Sequence, residues 1–233
     1  MKTKRILIFS DTHGLHNLIN IPENIDIAIF AGDAGTYQNP IKNISGVLNF
    51  INWYSKLNIK HKVWIAGNHD TSIEQELVNA KELSKENGLI YLEHESCVID
   101  GLNIFGSPYT PSFGYGWAFN VDRNKLIHYW NEIPTDTDIL ITHGGPFNVG
   151  CLNVVDRGED VGCEALAQII ETKLNSLKLA CSGHIHEGYG YFQKSPDKPL
   201  FVNASVLDVY YENTNNPYVV TIDIENKLIL GIE

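Results

Sequence analysis

No apolar stretch in this chain of 233 residues approaches the roughly 20 residues that a helix needs to span a bilayer. Basic charge is also scarce: 17 Lys and Arg stand against 28 Asp and Glu, a formal net charge of −11. Sequence-independent nucleic-acid binding relies on Lys and Arg neutralising phosphates. Without a basic run the chain is a poor candidate for it, and anionic membranes should repel it. Cys97, Cys151, Cys163 and Cys181 form no Cys-x-x-Cys pair, which removes zinc knuckles and thioredoxin motifs and fits reduced thiols in a cytosolic protein. The start, Met1-Lys2-Thr3-Lys4-Arg5, has the basic character of a signal peptide, but the apolar run after it stops by Ser10-Asp11, too short for an h-region. A soluble, cytoplasmic protein is expected.

Internal repeats and low-complexity linkers are missing too. The chain instead alternates short aliphatic runs with helical stretches. Ile6–Phe9, Ile25–Phe30, Val63–Ile65, Ile104–Phe105, Ile139–Ile141 and Leu177–Ala180 read as strands. Ile41–Lys56, Ile73–Asn87, Arg123–Asn131 and Glu164–Asn175 read as amphipathic helices between them. After residue 188 the pattern turns to closing strands at Tyr189–Phe192, Leu200–Asn203, Tyr218–Ile224 and Lys227–Ile232. This alternation implies an α/β architecture, with residues 1–233 as one domain.

The residues that terminate the strands are more informative. Ile6–Ser10 runs into Asp11-Thr12-His13, Ile27–Ala31 into Gly32-Asp33, and Val63–Ala66 into Gly67-Asn68-His69-Asp70. Ile139–Thr142 runs into His143-Gly144-Gly145, and Leu179–Ser182 into Gly183-His184-Ile185-His186. Five times an apolar run ends in His, Asp or Asn beside a Gly or a second His. Carboxyl ends of strands form the ligand-binding edge of α/β sheets, so these groups should converge. A lone Asp-x-His or Gly-Asp is ordinary turn chemistry; the ordered set is not.

Asp11, His13, Asp33, Asn68, His143, His184 and His186 supply carboxylates, imidazoles and an amide oxygen, without a thiolate. That set suits two divalent ions, with Mn expected first and Fe, Zn, Co or Ni possible, rather than a Ca²⁺ cage. His184 and His186 alternate, so both reach one site only if the backbone turns there or the ions flank it.

In this order the residues resemble the calcineurin-like metallophosphoesterase superfamily, over residues 11 to 186. Gly106-Ser107-Pro108-Tyr109, Gly116–Asn120, Gly162-Cys163 and Gly183–Gly190 are similar to its metallophosphoesterase-domain (MPPED-like) phosphodiesterase branch. The resemblance implies a four-layer αββα sandwich of two mixed β-sheets flanked by helices. It implies that Asp11, His13 and His186 bind one ion and that Asn68, His143 and His184 bind the other, with Asp33 bridging. Some members of the branch lack the histidine matching His184; its presence here favours an active enzyme. Gly145 stands where the branch more often has a second proline, which should loosen that loop.

The expected chemistry is hydrolysis of phosphate diesters, nucleotide or cyclic-nucleotide esters among them. A water bridging two ions falls in pKa from 15.7 to about 7 and attacks phosphorus in line with the leaving oxygen. His69 is expected as the general acid, with Asp70 fixing its tautomer and keeping it protonated. The aromatic-rich segment 106–120 is the candidate substrate wall: Tyr109 and Trp117 could stack on a base, and Asn120 could bond a ligand or cap the next helix. Together with Asn68 and His69 these are the expected substrate contacts. His16 is placed at the rim, His61, His94 and His128 as surface or satisfied histidines, and Arg157 in a surface ion pair. The competing readings are a phosphomonoesterase or protein phosphatase, a nuclease, and a nucleotide-binding regulatory module with vestigial catalysis. The −11 does not exclude a phosphate substrate, because Asp11, Asp33 and one hydroxide give −3 against +4 from two ions. The expected partner is a small phosphate ester, with no long nucleic acid and no membrane.

Overall fold

The aliphatic runs pair into two sheets. The structure, a computed structural model, describes residues 2–233. The first half of the chain forms β1 (Thr3–Phe9), β2 (Ile27–Phe30), α1 (Pro40–Ser55), β3 (His61–Trp64), α2 (Thr71–Glu74), α3 (Ala80–Glu86), β4 (Ile90–Tyr91), β5 (Glu95–Ile99) and β6 (Leu102–Ser107). A two-stranded ribbon comes next, β7 (Thr110–Pro111) with β8 (Asn120–Val121), then α4 (Leu126–Trp130), β9 (Ile139–Thr142), α5 (Glu164–Thr172) and β10 (Leu179–Ser182). The chain closes with β11 (Gly190–Phe192), β12 (Leu200–Asn203), β13 (Tyr218–Asp223) and β14 (Leu228–Ile232). One sheet has the order β14-β13-β1-β2-β3-β4, the other β11-β12-β10-β9-β6-β5. Each has four parallel strands: in the first sheet β1 to β4 run to one edge with antiparallel pairing only at β13 and β14, and in the second the four are central with an antiparallel strand at each edge.

Side-chain alternation along the strands builds the layers. Ile6, Ile8, Ile27 and Ile29 of the first sheet meet Ile104, Ile139, Ile141 and Leu179 of the second in one buried cluster. The opposite face of the first sheet, with Phe9, Phe30 and Trp64, packs on Val47, Phe50 and Tyr54 of α1. Phe105, Leu140 and Ala180 on the outer face of the second sheet pack on Trp130 of α4 and on Leu166 and Ile169 of α5. This is the αββα sandwich, α/β in class. The sheets also join at the site: Ser10, just after β1, bridges Ser205, just after β12. Among the described residues no helix is long and apolar enough to cross a membrane.

The structure departs from the expected elements in several places, the short unexpected strands β4, β7 and β8 among them. The single helix expected over Ile73–Asn87 is broken into α2 and α3. Glu76 takes a left-handed φ of 55°, and the Asn79 side chain accepts from Glu82 N at 3.1 Å to start α3 afresh. The interruption lets Glu74 face another segment, where its carboxylate accepts Phe119 N at 2.6 Å. Strand β5 was not expected, because its residues are mostly half-exposed edge positions with little apolar signal. Helix α4 starts at Leu126 rather than Arg123, and Asn120 does not cap it.

Phe30 carries much of the first sheet's outer packing: it is fully buried, with ring centroids 4.2 Å from Phe50 and 5.1 Å from Phe9. Phe30→Ala should lower the unfolding free energy by about 3–5 kcal/mol in a denaturant titration.

Candidate metal centre

Five strand ends deliver the polar residues, β1, β2 and β3 from one sheet and β9 and β10 from the other. Asp11, His13, Asp33 and His184 have φ of 55°, 40°, 63° and 71°, a left-handed backbone that non-glycine residues adopt only under constraint. Each marks a sharp turn off a strand. The turn at His184 resolves the alternation of His184 and His186, and a one-turn 3₁₀ helix at His186–Gly188 completes it. Hydrogen bonds lock the turns together: Asp11 N to Gly32 O (2.9 Å), His13 N to Asp33 O (3.1 Å) and Gly183 N to His143 O (2.9 Å). Gly67 and Gly183 lack side chains for a steric reason: a Cβ would clash with Asp33 Oδ1 at the first and with Asp11 Oδ2 at the second.

The imidazoles are oriented alike. Nδ1 of His13, His143 and His186 donates to the carbonyls of Gly35 (3.1 Å), Ala31 (2.8 Å) and Asp208 (2.8 Å). That leaves each Nε2 lone pair for the centre, the second-sphere pattern of metal-binding histidines. His13 Nε2 lies 3.4 Å from His186 Nε2 and 3.8 Å from Asp33 Oδ2, and His186 Nε2 lies 3.6 Å from Asp11 Oδ1. His143 Nε2 lies 3.3 Å from Asp33 Oδ2 and 2.9 Å from Asn68 Oδ1. Donors about 2.1 Å from one ion stand about 3–3.4 Å apart in tetrahedral or octahedral geometry, so this N/O set fits divalent ions. Donor atoms of Asp11, His13 and His186 lie within 4.8 Å of one another, as do those of Asp11, Asp33 and His143, and those of His13, Asp33 and His69. Asp33 faces both sides. Its Oδ1 accepts His69 N at 2.7 Å while Oδ2 points at His13 and His143. His184 stands beside this cluster, its ring 5.1 Å from that of His143 and its backbone N–H on the Asp11 carboxylate.

Charge is partitioned among these groups. Burial opposes ionisation of Asp11, but the His186 hydrogen bond and the His143 charge hold it below the usual carboxylate range. Asp33 is likewise buried and held low by His143 and His69. In return, against burial, Asp33 pushes His143 up to about 9 and Asp11 pushes His186 up to about 9. Burial wins at the other two: His13 falls to about 4, and His184 to about 3 with help from the His143 charge.

The structure corrects several expected roles. Asp70 does not touch His69. Its buried carboxylate accepts backbone N–H groups of Gly67 (2.8 Å), Gly35 (2.7 Å), Asp33 (3.1 Å) and Ala34 (3.3 Å); it fixes the two loops that carry Asp33 and Asn68. Burial and the Asp33 charge raise it to about 6, against those hydrogen bonds. His69 Nδ1 instead meets Thr36 O at 3.1 Å. Of the three residues offered from segment 106–120, only Trp117 lines the cleft, its ring 4.4 Å from His69. Tyr109 points away, into contact with His94, Phe119 and Tyr129. Asn120 staples its own loop, accepting Phe113 N and donating to Ala118 O. His16 is buried against Phe50 and Trp53 rather than at the rim. Gly145 does not loosen its loop: its carbonyl accepts Cys163 N at 2.9 Å, and a Cβ there would strike Asn153. Arg157 pairs with Glu159 at 2.6 Å, as expected.

Other contributors carried no sequence signal. Ser10 and Ser205 hydroxyls donate to Asp11 Oδ2 at 2.5 and 2.8 Å. Buried Asn43 donates to His69 O at 2.7 Å. Tyr211, with its ring 4.8 Å from His13 and 5.3 Å from His186, closes one side of the cleft. A serine after an apolar run is too common to single out, and the loop at residue 211 lies beyond the signature.

A buried carboxylate–imidazole–amide cluster at the joint of two mixed sheets is the architecture of a metallophosphoesterase. Residues 4–188 match the family model of calcineurin-like phosphoesterases, and the chain belongs to that family, which makes it a phosphoric ester hydrolase with candidate metal-binding residues. It is similar to the Homo sapiens "Metallophosphoesterase domain-containing protein 1", 35% identical over 239 residues, across 93% of this chain and 70% of that protein. In fold it is similar to TT1561 of Thermus thermophilus (TM-score 0.64, 13% identity, 100% of this chain and 99% of that one). It is also similar to the Phosphopantetheinyl Hydrolase of Mycobacterium tuberculosis (TM-score 0.59, 16% identity, 89% and 91%).

Chelator-treated protein should be most stable near pH 6.5. His143 and His186, raised to about 9, contribute stability below their unfolded value of 6.5 that is lost as pH rises toward 9. His13 and His184, lowered to about 4 and 3, stay neutral when folded, so stability falls as pH drops below 6.5 and the unfolded chain takes up their protons. Asp70, raised from 3.8 to about 6, opposes that acid loss by one proton against two. A plot of Tm against pH checks this; a monotonic curve would refute it.

Proposed function

We propose that the protein is a dinuclear metal-dependent phosphodiesterase acting on small diesters, nucleotide or cyclic-nucleotide esters among them. The observation that carries the diester reading is the charge of the cleft beside the metal cluster. Among the described residues, Glu187 lines it and no lysine or arginine does. A diester brings one negative charge per phosphate, whereas a monoester brings nearly two at neutral pH, and no lysine or arginine of the cleft meets the second. Asp11, His13 and His186 would hold one ion and Asn68, His143 and His184 the other, with Asp33 between. Mn is proposed first, then Fe, Zn, Co or Ni. Such ions supply Lewis acidity at phosphorus and a water acidified to near neutral pH.

The protein's own side chains do the rest. His69 donates Nδ1–H to Thr36 O, so its Nε2 remains for the cleft. As the imidazolium, which carries a proton on both nitrogens, it protonates the departing oxygen from Nε2 and regains that proton from solvent. Trp117 packs on the His69 ring and stacks near-parallel on Phe113, 28° between planes with centroids 6.1 Å apart. That pair supports a planar ester group lying over it. Four cysteines without a disulfide among the described residues support the proposal of a cytoplasmic enzyme, with neither long nucleic acid nor membrane as partner.

After chelation activity should vanish and return with Mn²⁺. The restored protein should hydrolyse a nitrophenyl diester at least about tenfold faster in kcat/KM than the matching monoester, a difference of about 1.4 kcal/mol. A monoester preference would make it a phosphatase, and no turnover with metal bound would leave a regulatory module. His69→Ala should retain metal yet lose about 10²–10⁴-fold in kcat for alkyl leaving groups, and far less for nitrophenol. Equal losses would remove His69 as the acid.

A further inference from the structure

A second cavity adjoins the cleft and plays no part in the chemistry above. The cleft holds about 290 Å³ and the second cavity about 360 Å³, and Phe113 and His184 line both. His69 lines the first and is not among the lining residues of the second. Its walls are Pro111, Val155, Val161 and the bare backbone of Gly144-Gly145. Gly145 has to be bare, because Asn153 occupies the place of its Cβ.

Two guanidiniums also reach this cavity, and both are already paired. Arg123 donates to Glu164 (2.7 Å), Gly162 O (2.9 Å) and Val161 O (2.8 Å), and Arg157 donates to Glu159 (2.6 Å). With both drawn into ion pairs, the apolar part of the lining, Pro111, Phe113, Val155, Val161 and Ile185, suits an uncharged ring. Its volume lies within the roughly 300–1,000 Å³ of small-molecule sites.

A diester has two arms. In displacement at phosphorus the attacking and leaving oxygens lie in line, and the retained substituent projects sideways. The departing arm belongs beside its proton donor, His69, in the cleft under Trp117. We propose that the cavity sharing Phe113 and His184 with the cleft is the subsite for the retained arm, and that this arm is an uncharged aromatic or heteroaromatic group. This rests on the phosphodiesterase reading. The bond from phosphorus to the departing oxygen breaks and a bond to the water oxygen forms. The water releases one proton to solvent and the departing oxygen takes one from His69. The products are an alcohol and the monoester of the retained arm.

The test uses Mn²⁺-loaded protein and two diesters sharing a nitrophenyl leaving group, one with a methyl and one with a phenyl retained arm. The phenyl ester should show a KM at least about tenfold below the methyl ester. Val161→Trp and Val155→Trp, which fill the cavity, should each raise the phenyl KM about tenfold and so remove its advantage over the methyl ester. Thermal melting confirms that each variant folds, and the second serves if the first does not. Calorimetric binding of the products gives a readout free of turnover: phenyl phosphate should bind wild type at least about tenfold more tightly than methyl phosphate, and lose that advantage in the variants. Equal affinities in wild type, or variants that weaken both ligands alike, would overturn the subsite. Failure to hydrolyse either diester while phenyl phosphate keeps its selective binding would overturn the phosphodiesterase reading alone.

Discussion

Two ionised carboxylates, Asp11 and Asp33, are buried where the sheets meet, and among the described residues neither has a lysine or arginine partner. Buried charge is expensive unless it is paired and hydrogen-bonded. The surroundings supply the pairing with imidazoles instead. Ser10, Ser205 and the His184 N–H saturate Asp11 Oδ2, and the His69 N–H holds Asp33 Oδ1. One oxygen of each is left facing the histidines. The excess negative charge there lifts His143 and His186 and favours added cations, so the property that makes the cluster costly is the one that makes it a candidate metal centre.

Holding that cluster requires backbone that would be unfavourable elsewhere. Four left-handed residues turn off the strands within it, and the chain tolerates them because each turn is tied to another. Asp70 is the clearest such tie. A carboxylate that accepts four backbone N–H groups from two loops sets the spacing between Asp33 and Asn68 through their backbone. The sandwich beneath is rigid for an ordinary reason: the inner isoleucines of both sheets interlock, and aromatic rings of α1 cover one outer face.

Much of this was legible in the sequence. The strands carrying the cluster follow from aliphatic runs of four or five residues, and the polar residues follow from the way each run terminates. Helix α1 was legible because its apolar spacing persists for four turns. The break between α2 and α3 was not, since residues 73–87 keep helical spacing while Asn79 and Glu74 answer to partners elsewhere in the chain. Segment 106–120 shows the same limit. Its density of rings announced a contact surface, but one face of the loop meets His69 through Trp117 and the other meets the core through Tyr109. A change of face along an irregular loop has no period to read.

The sequence by itself determined the α/β alternation and the polar residues of the cluster, because both are written in local order: a buried run, then a turn with a polar residue. The two-sheet sandwich came from the resemblance those residues carry. Only the tertiary structure decided what supports the cluster and what surrounds it. Ser205 meets Asp11 from 194 residues away, Tyr211 reaches the cleft on a loop outside the signature, and Asp70 turns from its neighbour His69 toward backbone amides. Those assignments depend on which strand ends come to lie side by side, and that is fixed by the packing of two sheets rather than by any neighbour in the chain.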